Sequence, residues 1–287
     1  MPQPTSPSHI ARLLRERGLS AKKGLGQNFL VDQNIVRRIV EHAALKEDSW
    51  VLEIGPGLGA LTNLLAERAA QVVAVEIDSD LAALLRDTLP NPRIRIVEGD
   101  ALKLSWEEVL ASAGWRDEPL SLVANLPYYI TSPLIMKALE SGLPWEAVVV
   151  MVQKEVAERM LAAPGSKDWG VLSLAVQYYA ECSLVLKVPR TVFLPSPAVD
   201  SAVVKLAPRQ PLVSAPREEL FAVIRAAFQQ RRKTLRNALK PLAGEWNLSI
   251  EHLEGALARC GIDPQSRGEV LSLEEFSKLT EELLKGV

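Results

Sequence analysis

The chain has 287 residues, 48% of them apolar and 24% charged, with a formal net charge of −2. That length exceeds one minimal domain and suits a large domain beside a small one, with a core that needs no disulfide staples. Cys182 and Cys260 stand at no metal-ligand spacing and read as buried free thiols; no apolar run reaches 18 residues and no signal-peptide core opens the chain, so a soluble, cytoplasmic protein without a bound metal is expected.

Charge is placed unevenly. Residues 1–26 carry Arg12, Arg15, Arg17, Lys22 and Lys23 against Glu16, a net +4. Residues 225–240 carry Arg225, Arg231, Arg232, Lys233, Arg236 and Lys240 with no acid, a net +6. The remainder sums to −12, so two basic patches on an acidic body can bind phosphate locally despite a near-neutral total.

In chain order, residues 8–18 read as a short basic helix. Residues 22–30, Lys-Lys-Gly-Leu-Gly-Gln-Asn-Phe-Leu, form a loop, because glycines beside lysines do not fill an element interior. Asp32 is placed to cap a helix running to about Ala44, with Ile35, Ile39 and Val40 on one face. Strands over 50–54, 72–77, 94–97, 120–124 and 147–152 then alternate with helices over 61–69, 81–89, 106–111 and 133–140. Continuous Val/Ile/Leu runs of this kind are buried parallel strands, and a repeating β-α unit gives an α/β, doubly wound open sheet. A helix over 170–178 follows. Two more strands, 184–188 and 202–206, flank the turn Pro195-Ser196-Pro197 and suggest an antiparallel edge. Pro208, Pro211 and Pro216 mark a linker, which divides the chain into domains 1–207 and 208–287. The second domain is all-helical, over 218–229, 231–240, 249–259 and 272–285.

The turn Glu53-Ile54-Gly55-Pro56-Gly57-Leu58-Gly59 follows a strand and opens a helix. Glycines let the backbone pass close under a ligand, and a helix N-terminus adds partial positive charge. The spacing departs from the dinucleotide fingerprint, and Glu53 would repel a pyrophosphate; an acid before a short loop suits a cationic ligand tail. Glu76 ends the second strand, where a carboxylate commonly accepts both hydroxyls of an adenosine ribose. Asp78, with Asp80, better fits the cap of the next helix. Asp100 ends the third strand, placed to hydrogen-bond an adenine amino group. Gly55, Gly57, Glu76 and Asp100 thus define a nucleoside crevice at the C-terminal edge of the sheet.

The fourth strand ends in Asn125-Leu126-Pro127-Tyr128-Tyr129. This motif resembles that of the amino methyltransferases, which implies S-adenosylmethionine as cofactor. An adenine exocyclic nitrogen is a poor nucleophile, its lone pair being delocalised into the ring. The Asn125 side-chain oxygen and the Leu126 carbonyl can accept its two hydrogens and aim the lone pair. Pro127 fixes the backbone so that this carbonyl points inward. Tyr128 offers a stacking face for the base. Catalysis then rests on positioning and electrostatics.

Further segments resemble the ribosomal RNA adenine dimethylases: residues 22–30, 53–59, 125–128, 188–201 (with Phe193, Pro195, Pro197, Val199 and Asp200) and 228–237 (Phe-Gln-Gln-Arg-Arg-Lys-Thr-Leu-Arg-Asn). The resemblance implies a Rossmann-like methyltransferase sheet with a small helical domain that contacts RNA. It implies that Asn28 and Leu30 border the cofactor with Gly55, Glu76, Asp100 and Asn125, and that Phe193 packs on the target base opposite Tyr128. It further implies a monomer acting on two adjacent adenosines near the 3′ end of 16S rRNA, each methylated twice at N6, during small-subunit maturation. Lys22, Lys23, Arg231, Arg232, Lys233 and Arg236 are the expected RNA contacts, giving affinity rather than sequence readout. Tyr129 falls where the family varies and takes no role; Gly24 replaces a more usual Ser. Rival readings are a large-subunit rRNA adenine methyltransferase, a ribosome-assembly factor that kept the fold, and a DNA adenine methyltransferase. The run at 231–237, with Gly261-Ile262-Asp263-Pro264 and residues 271–276, favours the small-subunit type. Intact Glu76, Asp100 and Asn125 speak against a factor without catalysis.

Overall fold

A computed structural model describes residues 6–230 and 232–286, apart from the side chains of His9 and Lys23. After α1 (Pro7–Glu16) and the short strand β1 (Phe29–Leu30), helix α2 (Gln33–Ala43) starts where Asp32 Oδ1 accepts the amides of Asn34 and Ile35 at 2.8 and 3.2 Å. The alternating part runs β2 (Trp50–Ile54), α3 (Ala60–Ala66), β3 (Gln71–Glu76), α4 (Ser79–Thr88), β4 (Ile94–Glu98), α5 (Trp106–Ala113), β5 (Leu120–Asn125), α6 (Thr131–Glu140) and β6 (Trp145–Gln153). Helices α7 (Lys154–Met160) and α8 (Val171–Tyr179) precede β7 (Ala180–Val188), β8 (Phe193–Leu194) and β9 (Ser201–Pro208). The chain ends in α9 (Arg217–Gln229), α10 (Leu235–Glu245), α11 (Ile250–Arg259) and α12 (Leu273–Leu284).

Seven strands form one sheet in the order β4-β3-β2-β5-β6-β9-β7. Neighbours from β4 to β6 pair parallel, and β9 pairs antiparallel with β6. Valines and leucines of the central strands are buried on both faces, as the continuous apolar runs require. The winding reverses between β2 and β5, which is where an open α/β sheet leaves a crevice at its strand ends. A separate two-residue ribbon pairs β1 with β8, joining Phe29 to Leu194 and Leu30 to Phe193. Two residues leave no alternating pattern, so this ribbon had no signal in the sequence.

The chain forms two compact units. One holds the residues up to Ala157 with Glu181–Pro208; the other holds Glu158–Ala180 with the residues from Arg209 onward. The second crossing falls between Pro208 and Arg209, and residues 158–180, expected with the sheet, group with the helical unit. There Trp169 is buried and its indole N–H donates to the Leu271 carbonyl at 3.0 Å. Tyr178 meets Phe221 edge-to-face with centroids 5.3 Å apart.

Helix α10 departs from the expected 231–240. It begins at Leu235 and runs through Pro241. Proline removes one helical hydrogen bond, but Leu235, Ala238, Leu239, Leu242 and Ala243 keep a continuous buried stripe, and packing outweighs the break. Both cysteines are free and partly buried rather than fully so, and burial pushes the Cys182 thiol up to about 12. Among the described residues no helix is long and apolar enough to cross a membrane, and no cluster of His, Cys, Asp and Glu could hold a metal ion.

Trp169→Ala should destabilise the helical unit by about 3–5 kcal/mol, since it opens a cavity and strands the Leu271 carbonyl. Urea unfolding followed at that unit's aromatics measures the loss, and a cost under about 1 kcal/mol would detach residues 158–180 from it.

Candidate active site

The ends of β2, β3, β4 and β5 open into one cleft lined by the glycine turn, Glu53, Glu76, Asp100 and the stretch from Asn125 to Tyr129. The loop before β1 adds Gly26, Gln27 and Asn28, and β1 adds Phe29 and Leu30, as a further wall. The space between these walls and the open solvent at the mouth is about 1040 Å³.

The turn needs its glycines. Gly55, Gly57 and Gly59 have φ of 69°, 60° and 80°, the left-handed region that side chains rarely enter. A Cβ on Gly57 would lie 3.2 Å from the Phe29 ring, and one on Gly55 would lie 3.4 Å from Pro127. The backbone therefore passes tightly between the β1 wall and the reaction motif.

Three carboxylates face different surroundings. Glu76 is 4% exposed; its Oε1 accepts the Asp78 amide at 2.9 Å and its Oε2 lies 3.4 Å from the Gly57 amide. Burial raises its pKa, and those amides pull the other way. Asp100 is half-buried, accepts the Leu102 amide at 3.0 Å and lies 3.7 Å from Lys103. The loop behind it is held by Lys137, whose ammonium donates to the carbonyls of Ala101, Leu102 and Leu104 at 2.9, 2.9 and 2.6 Å.

Glu53 is 1% exposed, and its Oε2 has no hydrogen-bond partner. Burial pushes its carboxyl up to about 8, with Thr62 opposing and the Glu76 charge adding to the rise. A buried carboxyl with one unpartnered oxygen in the wall of a cleft is a place for a cation. A positive group there would recover the lost solvation and draw the proton off. With the buried Glu76 at a strand end and a tight glycine cradle, this donor set fits S-adenosylmethionine, whose α-ammonium and sulfonium are cationic, better than a nucleoside phosphate.

Asn125 is half-buried at the end of β5, and its Nδ2 lies 3.4 Å from the Asn28 carbonyl. That contact leaves Oδ1 facing away as an acceptor. Leu126 is buried, with its amide donating to the Met151 carbonyl at 3.1 Å. Pro127 is followed by a short 3₁₀ turn over Tyr128–Ile130, which is capped by Thr131 donating to the Pro127 carbonyl at 3.0 Å. The Tyr128 hydroxyl lies 2.6 Å from the buried Ser201 hydroxyl at the start of β9. Burial raises its pKa with Ser201 opposing, so the phenol stays protonated at neutral pH. Ser201, Lys137 and Gln27 had no local signal in the sequence, because each acts through a partner far along the chain.

Several expected residues stand elsewhere. Phe193 is 4% exposed and packs in the hydrophobic core with Leu30, Val188 and Val203, outside the described cleft wall. It pairs with Leu30 across the β1–β8 ribbon. Lys22 binds Asp78 and Asp80, and Arg236 is ion-paired with Glu254. Arg232 and Lys233 are exposed. Arg231 and the Lys23 side chain lie outside the described residues.

The strand order, the antiparallel β9 beside β6 and the cleft at the reversal place the fold in the Rossmann-like methyltransferase class. Residues 18–285 match the profile of the ribosomal RNA adenine dimethylases, and the chain belongs to that family. It is 50% identical to "Ribosomal RNA small subunit methyltransferase A" of Anoxybacillus flavithermus, over 97% of this chain and 95% of that one. It is 48% identical to the protein of the same name from Geobacillus thermodenitrificans, over 97% and 96%. Among solved structures, a dimethyladenosine transferase from Plasmodium falciparum superposes with a TM-score of 0.73 at 29% identity, over 90% of this chain and 98% of that one. The 23S rRNA methyltransferase ErmE gives 0.64 at 31%, over 89% and 99%.

A folded-state carboxyl at about 8 binds its proton more tightly than the unfolded chain does, so the fold loses stability as pH rises from about 4.5 to 8. Glu53→Gln should remove that loss. Its melting temperature should match the ligand-free parent near pH 4.5 and exceed it at pH 8.5, the gap amounting to at most about 4–5 kcal/mol. Parallel melting curves at both pH values would refute this.

Proposed function

We propose that this chain transfers methyl groups from S-adenosylmethionine to N6 of two adjacent adenosines near the 3′ end of 16S rRNA, in the small ribosomal subunit or its precursor, giving N6,N6-dimethyladenosines. The observation that carries the reading is the meeting of Glu76, Asp100 and Asn125 in one cleft beside the unpartnered Oε2 of Glu53. The names of the relatives at 48–50% identity favour the small subunit, and a cytoplasmic setting follows from that substrate.

S-adenosylmethionine supplies the methyl group on a sulfonium, a good leaving group. In this reading the Gly55 and Gly57 backbone makes the cradle, with Asn28 and Leu30 closing its other wall. Glu76 would accept from the ribose hydroxyls, Asp100 from the adenine amino group, and Glu53 would face the α-ammonium of the amino-acid tail. Asn125 Oδ1 and the Leu126 carbonyl accept the two hydrogens on the target N6. This turns the nitrogen toward a tetrahedral shape and points its lone pair at the methyl carbon. The N–C bond would form as the S–C bond to the methyl breaks, leaving a neutral thioether, and the N6 proton would pass to solvent while the surrounding carbonyls share the positive charge. Tyr128 carries the extruded base on its ring, held by Ser201. Arg232 and Lys233 are the described members of the basic run free to meet phosphate, and we take the chain to act as a monomer.

Transfer of labelled methyl groups should appear with under-methylated small subunits and be absent with large-subunit RNA and duplex DNA. Preference for large-subunit RNA would move the chain to the specificity named for ErmE. Asn125→Ala should still bind subunits while losing about 10²–10³ in turnover; full transfer would remove Asn125 from the mechanism.

Tyr128→Ala should cost about 1–3 kcal/mol in kcat/KM, the worth of one stacked base, while Tyr128→Phe and Ser201→Ala should keep most of the activity. Equal losses in Tyr128→Phe and Tyr128→Ala would assign the hydroxyl, and not the ring, the main part.

A further inference from the structure

Lys22 is a basic residue in a loop, and its net-charge context pointed to phosphate. Its surroundings point inward. The ammonium lies 2.7 Å from Asp78 Oδ1 and 2.9 Å from Asp80 Oδ2. Gln27 closes the ring: its Oε1 accepts the Lys22 amide at 2.8 Å, and its Nε2 donates to Asp78 Oδ2 at 2.8 Å. The Asp78 side chain is 2% exposed and that of Lys22 is 44% exposed. Asp78 also caps α4 through the Asp80 amide and stands two residues after Glu76. Were Lys22 to leave for a phosphate, a buried carboxylate would remain beside Glu76 and Asp80 with no counter-charge. Burial alone would raise the Asp78 carboxyl, yet the hydrogen bonds from Lys22 and Gln27, with the Lys22 charge, hold it below the ordinary range.

The clasp is the last of three ties between the N-terminal arm and α4. Ile10 packs with Phe29, Leu81 and Leu84, and Arg17 pairs with Asp87 at 2.9 Å. Directly after Gln27 the chain reaches the reaction motif. The Asn28 carbonyl receives Asn125 Nδ2 at 3.4 Å, and Asn28 Nδ2 donates to the Gly26 carbonyl at 2.9 Å. Phe29 then presses on Gly57. One short segment thus touches the β3 end, the glycine turn and Asn125.

We infer that Lys22 is a positioning residue: its ammonium clasps the arm onto Asp78 and Asp80, and the clasped arm sets the Asn28 carbonyl that orients the Asn125 amide. The amide can flip by exchanging Oδ1 and Nδ2. The Asn28 carbonyl accepts only from Nδ2, so a fixed arm keeps Oδ1 toward the target nitrogen. The inference rests on the proposed methyl transfer for its donor-binding and kinetic arms, while the exchange arm is independent of it.

The test uses the full chain and Lys22→Met, which keeps an apolar stem and removes the charge, with Lys22→Arg as the conservative rescue. In the ligand-free chain, amide exchange over residues 28–31 should quicken about tenfold or more in Lys22→Met, and S-adenosylmethionine should bind about tenfold more weakly. Turnover at saturating donor should also fall, and affinity for small subunits should stay within about twofold. Lys22→Arg should restore all three changed values. Asp78→Asn, which keeps the helix cap, should reproduce the quickened exchange. Unchanged exchange and donor binding, with weaker subunit binding and a salt slope lower by about one, would make Lys22 a phosphate contact and overturn the clasp. A parent chain that methylates no RNA would defeat the proposed function instead, and exchange would still decide the clasp.

Discussion

Parallel strands send their connections over the faces of the sheet, and where the winding reverses, two neighbouring connections leave in opposite directions. Between β2 and β5 this opens a gap that no connection covers. Every cleft residue described here is placed relative to that gap. The glycine turn leaves β2 under it, Asn125 leaves β5 beside it, and Glu76 and Asp100 end the next strands on one side. The parallel register fixes their relative heights, since Trp50 stands level with both Gln71 and Leu120. No loop has to find the site, because the backbone hydrogen bonds of the sheet already have.

The same gap gathers negative charge in a poorly solvated place. Glu53, Glu76 and Asp78 are all buried, and each has been given a different solution. Asp78 has Lys22 and Gln27, Glu76 has two backbone amides, and Glu53 has an unpartnered oxygen. The first two arrangements are complete within the chain; the third is completed only by something brought in. Burying an unmatched carboxyl costs stability, and its retention in the wall of a ligand cleft is what a site for a cation-bearing ligand would require.

The sheet was legible because its signals are local. Val72 to Val75, Val123 and the valines at 148–150 are apolar in unbroken runs, and the turns between carry Gly55, Gly57 and Gly99. Glu76 and Asp100 stood out in the sequence for the same reason, as each ends or follows an apolar run. What failed to show was whatever depends on a distant partner. The β1–β8 ribbon joins residues more than 160 positions apart, and two residues carry no period. Trp169 reads as an ordinary aromatic until Leu271 is beside it. Phe193 carries no local sign of its neighbours, and Leu30 and Val203 pack around it from far along the chain. Pro241 reads as a stop, yet the apolar stripe of α10 continues past it.

Basic residues show the limit most sharply, because a sequence gives charge and not its partner. Of the six expected at RNA, Lys22 and Arg236 are engaged by carboxylates of their own chain. The pairs are unequal. Arg236 and Glu254 are both partly exposed, and such a pair exchanges easily for a phosphate at little cost. Asp78 is buried, so Lys22 cannot be traded without leaving a charge unmatched next to Glu76. Charge that holds the N-terminal arm is therefore unavailable for affinity, and the salt dependence of RNA binding should count fewer cations than the sequence displays. The net +4 of the first 26 residues is in part internal mortar, tying Arg17 to Asp87 and Lys22 to Asp78 across the arm that walls the cleft.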